Sequence, residues 1–132
     1  GRHVEMFSFF QHPFFPYSGA EEVAANMHNV RLKAYSGRQE IAEAVKTVWL
    51  PMMDAFQPEL IVICAGFDAH RDDDMGQMML VEQDFVWLTK ELMAVADRHC
   101  HGRIISLLEG GYNLNALARS AVEHIRALAG LC

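Results

Sequence analysis

Apolar residues along this chain switch between short continuous runs and a three-to-four-residue repeat, and the switches predict alternating strands and helices. Residues 4–10 read as a buried strand, followed over 11–19 by a loop rich in proline, glycine and aromatics. A second, very short strand is expected at 30–32. Residues 37–56 carry Ile41, Val45, Val48, Met52 and Phe56 at helical spacing, and Pro51 should kink that helix or end its regular part. Residues 60–65 are uniformly apolar and β-branched, the pattern of a strand covered on both faces. A polar loop over 69–77 leads to a helix at 82–99 with Phe85, Leu88, Leu92 and Val95 in one stripe. Residues 104–108 form a further buried strand, and 114–128 a closing helix with Leu117, Ala121, Ile125 and Leu128 inward. There is no internal repeat and no linker. The order β-loop-β-α-β-α-β-α predicts an α/β domain with a parallel sheet and right-handed crossovers.

Composition narrows this picture. At 132 residues, half of them hydrophobic, the chain is one domain or part of one, with enough apolar material for a core. A formal charge of -6 argues against nonspecific nucleic-acid binding, which needs a basic face. No apolar run approaches the roughly 18 residues that would span a bilayer, and the start shows no signal-peptide pattern. Cys64, Cys100 and Cys132 are widely spaced and include no C-x-x-C, so reduced thiols in a cytoplasmic protein are expected. The chain opens on Gly1-Arg2-His3 and runs straight into apolar sequence; it is expected to be cut from something longer.

Two of the predicted strands end in small residues and then present a reactive side chain. Ile63-Cys64-Ala65-Gly66-Phe67-Asp68 delivers a carboxylate, and Leu107-Leu108-Glu109-Gly110-Gly111-Tyr112 a phenol. In an open parallel sheet, ligands bind beyond the carboxyl ends of the strands. A carboxylate is an oxygen ligand for a divalent metal, and a phenol beside it can donate to an oxyanion. That pairing points to metal-assisted hydrolysis. Blander readings stand beside each signal. Asp68 also suits a turn or helix cap, and Gly110-Gly111 a plain strand-to-helix turn in which Asn113 caps the next helix. Asp68-Ala69-His70 has a two-ligand spacing, but His70 equally fits a hydrogen-bonded loop residue, and the other histidines form no H-x-x-H or H-E-x-x-H set. Phe14-Phe15-Pro16-Tyr17 could wall a narrow pocket or pack locally under a loop. Met75, Met78 and Met79 read as core filling. There is no nucleophile elbow, P-loop or dinucleotide glycine fingerprint.

Three ordered motifs carry a resemblance across essentially the whole chain: 10-FQHPFFPYSG-19, 65-AGFDAH-70 and 108-LEGGYNL-114. The chain resembles the C-terminal part of the zinc-dependent deacetylase family that includes histone deacetylases and acetylpolyamine amidohydrolases, on its bacterial, class II-like branch. The resemblance implies that Asp68 is the second aspartate ligand of a catalytic zinc. It makes Tyr112 the residue that polarises the scissile carbonyl and stabilises the tetrahedral oxyanion. Gly110 and Gly111 would line an acyl-lysine tunnel, Phe15 would form its aromatic wall and Met75 its rim. The backbone near Ser8 and Phe9 would match carbonyls that hold a structural potassium ion. The family's paired histidines and its D-x-H motif match nothing here, since Asp68-Ala69-His70 falls on the later strand and leaves His70 no ligand role. Where relatives have Gly-Asp-Pro the loop reads Asp72-Asp73-Asp74, which adds negative charge near the mouth and removes two backbone constraints.

The implied fold is an arginase-like three-layer α/β/α domain around a parallel sheet of eight strands. Residues 1–132 would be its C-terminal portion, with 60–65 beside 104–108 and an absent middle strand separating both from 4–10. Either 4–10 moves in to pair directly, or another chain fills the gap, or an apolar edge stays open, which is a swapping liability. The activity implied is removal of acetyl or other acyl groups from lysine or polyamine amines, with no nucleic-acid or membrane partner. A zinc site needs about three protein ligands and a base; Asp68 and Tyr112 supply one ligand and an oxyanion donor. The isolated chain is therefore expected to be inactive and to self-associate. Two other readings are a catalytically silent structural fragment and an α/β module binding a phosphate at Gly110-Gly111. The acidic surroundings of Asp68 and Glu109 disfavour the latter.

Overall fold

The computed structural model describes residues 3–21 and 23–132. Strand β1 (Met6–Gln11) runs parallel to β2 (Met27–Leu32), from Met6 opposite Met27 to Gln11 opposite Leu32. Strand β3 (Ile61–Ala65) runs parallel to β4 (Ile104–Leu108), from Ile61 opposite Ile104 to Ala65 opposite Leu108. The expected α/β order and the β3–β4 pairing are both present. No ladder joins the two pairs, so β1 does not move into the gap beside β3. Strand β2 is longer than the sequence pattern suggested because Met27, His28 and Asn29 all pair with β1.

The predicted helix at 37–56 forms in three pieces: α1 (Arg38–Ala44), a π-helical turn (Val45–Trp49) and α2 (Leu50–Phe56). Pro51, in the first turn of α2, has no N–H to give the carbonyl of Thr47, and its ring crowds that carbonyl. Widening the preceding turn, with Leu50 N bonded to Val45 O, accommodates the proline by one extra residue. That extra residue shifts the buried stripe. Ile41 and Val45 face inward as expected, but beyond them Trp49 and Met53 are the buried positions, while Val48 packs against the core only in part and Met52 is exposed. Trp49 stacks on Phe9 of β1, with ring centroids 5.6 Å apart.

Helices α3 (Glu82–His99) and α4 (Leu114–Leu128) pack on each other beside β3 and β4. The α3 stripe is as expected, with Phe85, Leu92 and Val95 buried and Leu88 packed against the same core. The α4 stripe holds in part: Leu117 and Ala121 pack against the core, but they are not its most buried positions. Ala116, Ser120, His124 and Ala127 are the buried positions, while Ile125, expected inward, is 62% exposed. Small residues let α4 approach α3 closely, and a polar contact fixes its rotation. His124 Nδ1 lies 2.7 Å from Thr89 Oγ1 on α3, and its Nε2 2.8 Å from Ser106 Oγ on β4. Thr89 donates its own proton to Phe85 O. His124 therefore donates from Nδ1 and accepts Ser106 O–H at Nε2, a neutral ring with both nitrogens used.

The opposite face of β3–β4 is bare. Val62, Cys64, Ile105 and Leu107 are exposed, and the register sets Val62 beside Ile105 and Cys64 beside Leu107. A strand written for cover on both faces thus has it on one. Among the described residues no helix is long and apolar enough to cross a membrane.

Burial holds the His124 pKa below its usual 6.5, because the charged form loses its hydration. The unfolded chain takes up a proton there that the folded chain resists. The contribution of a neutral His124 is thus full above about pH 6.5 and is lost as pH falls below it. Melting followed by circular dichroism should show stability declining from about pH 7.5 to about pH 5.5. His124→Gln should cost about 1–3 kcal/mol at the higher pH and show a smaller decline on acidification. An equal decline in both proteins would contradict this role.

Candidate active site

Because β3 and β4 are parallel and in register, both leave the sheet at the same edge. Two hydrogen bonds carry the pairing past the strand ends: Glu109 N–H to Ala65 O at 3.0 Å and Phe67 N–H to Gly110 O at 2.7 Å. Asp68 follows at once and lies against the second loop. A Cβ on Gly110 would fall 2.8 Å from Asp68 Oδ2 and 3.0 Å from its Cγ, so any other residue would push this carboxylate from its place. Gly111 takes φ +148°, which L side chains rarely adopt. The pair of glycines is therefore a close-approach feature as well as a turn.

Asp68 is solvent-exposed on one side, yet its carboxyl is held above the ordinary aspartate range. Burial of the group by surrounding protein is the main cause, and the nearby charges of Asp73 and Glu109 add to it against its own backbone amide. No Lys, Arg or His pairs with it among the described residues. An unneutralised carboxylate among other acids fits a cation, and as a hard oxygen donor it suits the zinc that the resemblance implies. It fits as one ligand of several: no group of three His, Cys, Asp or Glu side chains converges on a metal position among the described residues.

Tyr112 stands two residues beyond Gly110 with its side chain out, at 61% exposure. Its backbone, by contrast, is tied down. Asp73, only 4% exposed, accepts Tyr112 N–H at 2.7 Å and Asn113 N–H at 3.3 Å on Oδ2, and Met75 N–H at 2.8 Å on Oδ1. Asn113 caps α4 through Ala116 N–H, as its position suggested, and its Nδ2 also donates to Asp72 O. The acidic triplet is therefore an organised loop, held by these bonds. The sequence shows the triplet as negative charge near the mouth and gives Asp73 no role of its own. The available signal was that Asp73 is the one position of the triplet shared with the family's Gly-Asp-Pro.

Behind this loop lies a chain of ionic contacts. Arg119 of α4 contacts Asp72 Oδ2 at 3.1 Å and also bonds Glu82 at the start of α3. That bond to Arg119 holds the Glu82 carboxyl down to about 2. His70, read from sequence as a hydrogen-bonded loop residue, is buried and accepts Asp72 N–H on Nδ1. Its Nε2 then carries the proton and faces Glu82 Oε2 at 3.2 Å. It has no direct part at the strand edge.

The same loop reaches the other strand pair. Gln77 N–H bonds Gln11 Oε1 at 2.9 Å, and Gln11 Nε2 returns a bond to Gln77 Oε1 at 2.9 Å. Tyr35 N–H to Gln77 O and Met79 N–H to Ser36 O add two links beyond β2. Met75 is exposed on this loop, as a rim residue would be, and Met79 is exposed too; of the three methionines only Met78 fills the core. Phe15 is 78% exposed on the loop after β1, with no ring contact to the Asp68–Tyr112 group among the described residues. Asp68, Gly110, Gly111, Tyr112 and Met75 are thus gathered by two loops, and Phe15 is placed on a third.

Residues 2–128 match the family described as histone deacetylase domain. The chain is 41% identical over 103 residues to the type-2 histone deacetylase 1 of Dictyostelium discoideum, covering 78% of this chain and 7% of that protein. It is 32% identical over 120 residues to a histone deacetylase-like amidohydrolase of Pseudomonas aeruginosa, covering 87% of this chain and 32% of that protein. In three dimensions it is similar to the crystal structure of the HDA15 HD domain, with a TM-score of 0.87 and 31% identity, over 96% of this chain and 37% of that one. The chain therefore spans about a third or less of the length of these relatives, which include both eukaryotic and bacterial proteins.

Proposed function

The chain belongs to the histone deacetylase family, and on that premise we propose that it forms the C-terminal part of a zinc-dependent amidohydrolase domain that removes acyl groups, foremost acetyl, from amines. The observation that carries this is the shared strand edge, where a cation-seeking carboxylate and a phenol with no hydrogen bond of its own among the described residues follow adjacent parallel strands. Asp68 would contribute one carboxylate oxygen to the zinc, and Gly110 keeps the space beside it clear. Bound there, a zinc ion would polarise the acyl carbonyl and lower the pKa of water. The Tyr112 O–H would donate to the carbonyl oxygen as negative charge develops on it. Gly110, Gly111, Met75 and Phe15 would line the approach of the acylated side chain, whether lysine or polyamine. A structural potassium ion near the Ser8 and Phe9 carbonyls belongs to the same reading. The remaining ligands and the base that takes the proton from water would come from the portion of the domain that the relatives have and this chain does not span.

In the whole protein, Tyr112→Phe should lower kcat by about 10²–10³-fold, the usual cost of one oxyanion donor, with zinc content by elemental analysis unchanged. Asp68→Ala should lose zinc and activity together. A fully active Tyr112→Phe, or unchanged metal in Asp68→Ala, would remove the corresponding role.

The bare β3–β4 face and the unpaired strand edges favour a covering partner, and for the isolated chain that partner would be another copy. Covering ~400 Å² of apolar surface is worth on the order of 10 kcal/mol before association costs. Sedimentation of the 132-residue chain should show concentration-dependent association; a clean monomer at tens of micromolar would contradict it.

A further inference from the structure

The proposed oxyanion role of Tyr112 leaves open what puts the phenol in place, and the inference here rests on that role. We propose that Asp73 is a positioning residue for the reaction, fixing the backbones of Tyr112 and Met75 at once relative to the strand edge that carries Asp68. The Tyr112 side chain has no anchor of its own: it is largely exposed and its hydroxyl bonds nothing among the described residues. It is also approached through Gly110-Gly111, the least restrained pair of residues a chain can use. Helix α4 begins only at Leu114. Between the glycine pair, tied to β3 only through Gly110 O, and the helix, the bonds from Tyr112 N–H and Asn113 N–H to Asp73 Oδ2 hold the phenol's backbone, beside that from Asn113 Nδ2 to Asp72 O. The other oxygen, Oδ1, takes Met75 N–H, so one carboxylate sets rim and oxyanion donor in a single arrangement.

The energetics favour a tight hold. A buried carboxylate is costly unless its oxygens are hydrogen-bonded, and charge-assisted bonds are shorter and stronger than neutral ones. Three amides satisfy Asp73, so moving Tyr112 or Met75 away would strand an ion. The flanking Asp72 braces it through Asn113 Nδ2 on one side and Arg119 on the other. Displacing a catalytic group by ~1 Å can cost about 10²-fold in rate, so a loose Tyr112 would lose most of its value as a donor.

A double-mutant cycle on the whole protein with an acetylated amine substrate separates positioning from plain stability. Asp73→Asn keeps the shape but removes the charge and one acceptor oxygen. It should lower kcat about tenfold or more, with KM and zinc content within about twofold. In the Tyr112→Phe background the same substitution should change kcat by less than about threefold, because the group it positions is gone. Equal losses in both backgrounds would overturn the positioning role while leaving Tyr112 as donor. Full activity of Tyr112→Phe alone would instead overturn the donor role, and this inference with it. Should Asp73→Asn fail to fold, amide hydrogen exchange on the unsubstituted protein decides the matter. Slow exchange at Tyr112 and Asn113 supports the anchor, and exchange at the free-loop rate overturns it.

Discussion

One buried carboxylate, Asp73, holds together the loops on which the candidate site depends. Its two oxygens take three backbone amides from two segments that are 37 or more residues apart in sequence, counting from Met75 to Tyr112. Around it the loop after β3 reaches outward to Gln11, Tyr35 and Ser36 and so links the two strand pairs by hydrogen bonds where no ladder does. The sheet supplies direction and the loop supplies position. Parallel in-register strands bring Asp68 and Tyr112 to one edge, and the loop's bonds to Asp73 add to those of the strand ends in fixing the two segments.

The chain spans 37% of the length of a relative's domain, and part of its fold lacks cover. Strand β3 reads as a strand for a sheet interior, yet Val62 and Cys64 face solvent beside Ile105 and Leu107. The fold similarity to a relative's domain is nonetheless high over 96% of the chain. Helices α3 and α4 pack on one face of the strand pair, while the exposed face keeps the pattern of a covered one.

What the sequence disclosed depended on the range of the interaction involved. Element order and the pairing of the two reactive strand ends were legible, because apolar periodicity and strand-end residues are local signals. The Pro51 disturbance was legible too, but its consequence was not. A π turn inserts one residue, so Trp49 and Met53 become the buried positions, with Val48 at the edge of the core and Met52 exposed. On α4 the apolar count favoured Ile125, whereas a polar bridge from Thr89 through His124 to Ser106 set the rotation. Asp73 was hidden for the same reason. An aspartate in an acidic run looks solvated until the amides that bury it, nearly forty residues on, are known. The strand ends singled out Asp68 and Tyr112, and the motif resemblance supplied the roles expected of them and of Gly110 and Gly111.

The account's central claim is that these residues hold one zinc ligand and one oxyanion donor in place and that catalysis needs the rest of the domain. Assaying the purified 132-residue chain for deacetylation of an acetylated amine, with and without added zinc, tests that claim most directly. No turnover under either condition, against zinc-dependent turnover by the whole protein, is the predicted result. Zinc-dependent deacetylation by the 132-residue chain alone would contradict it.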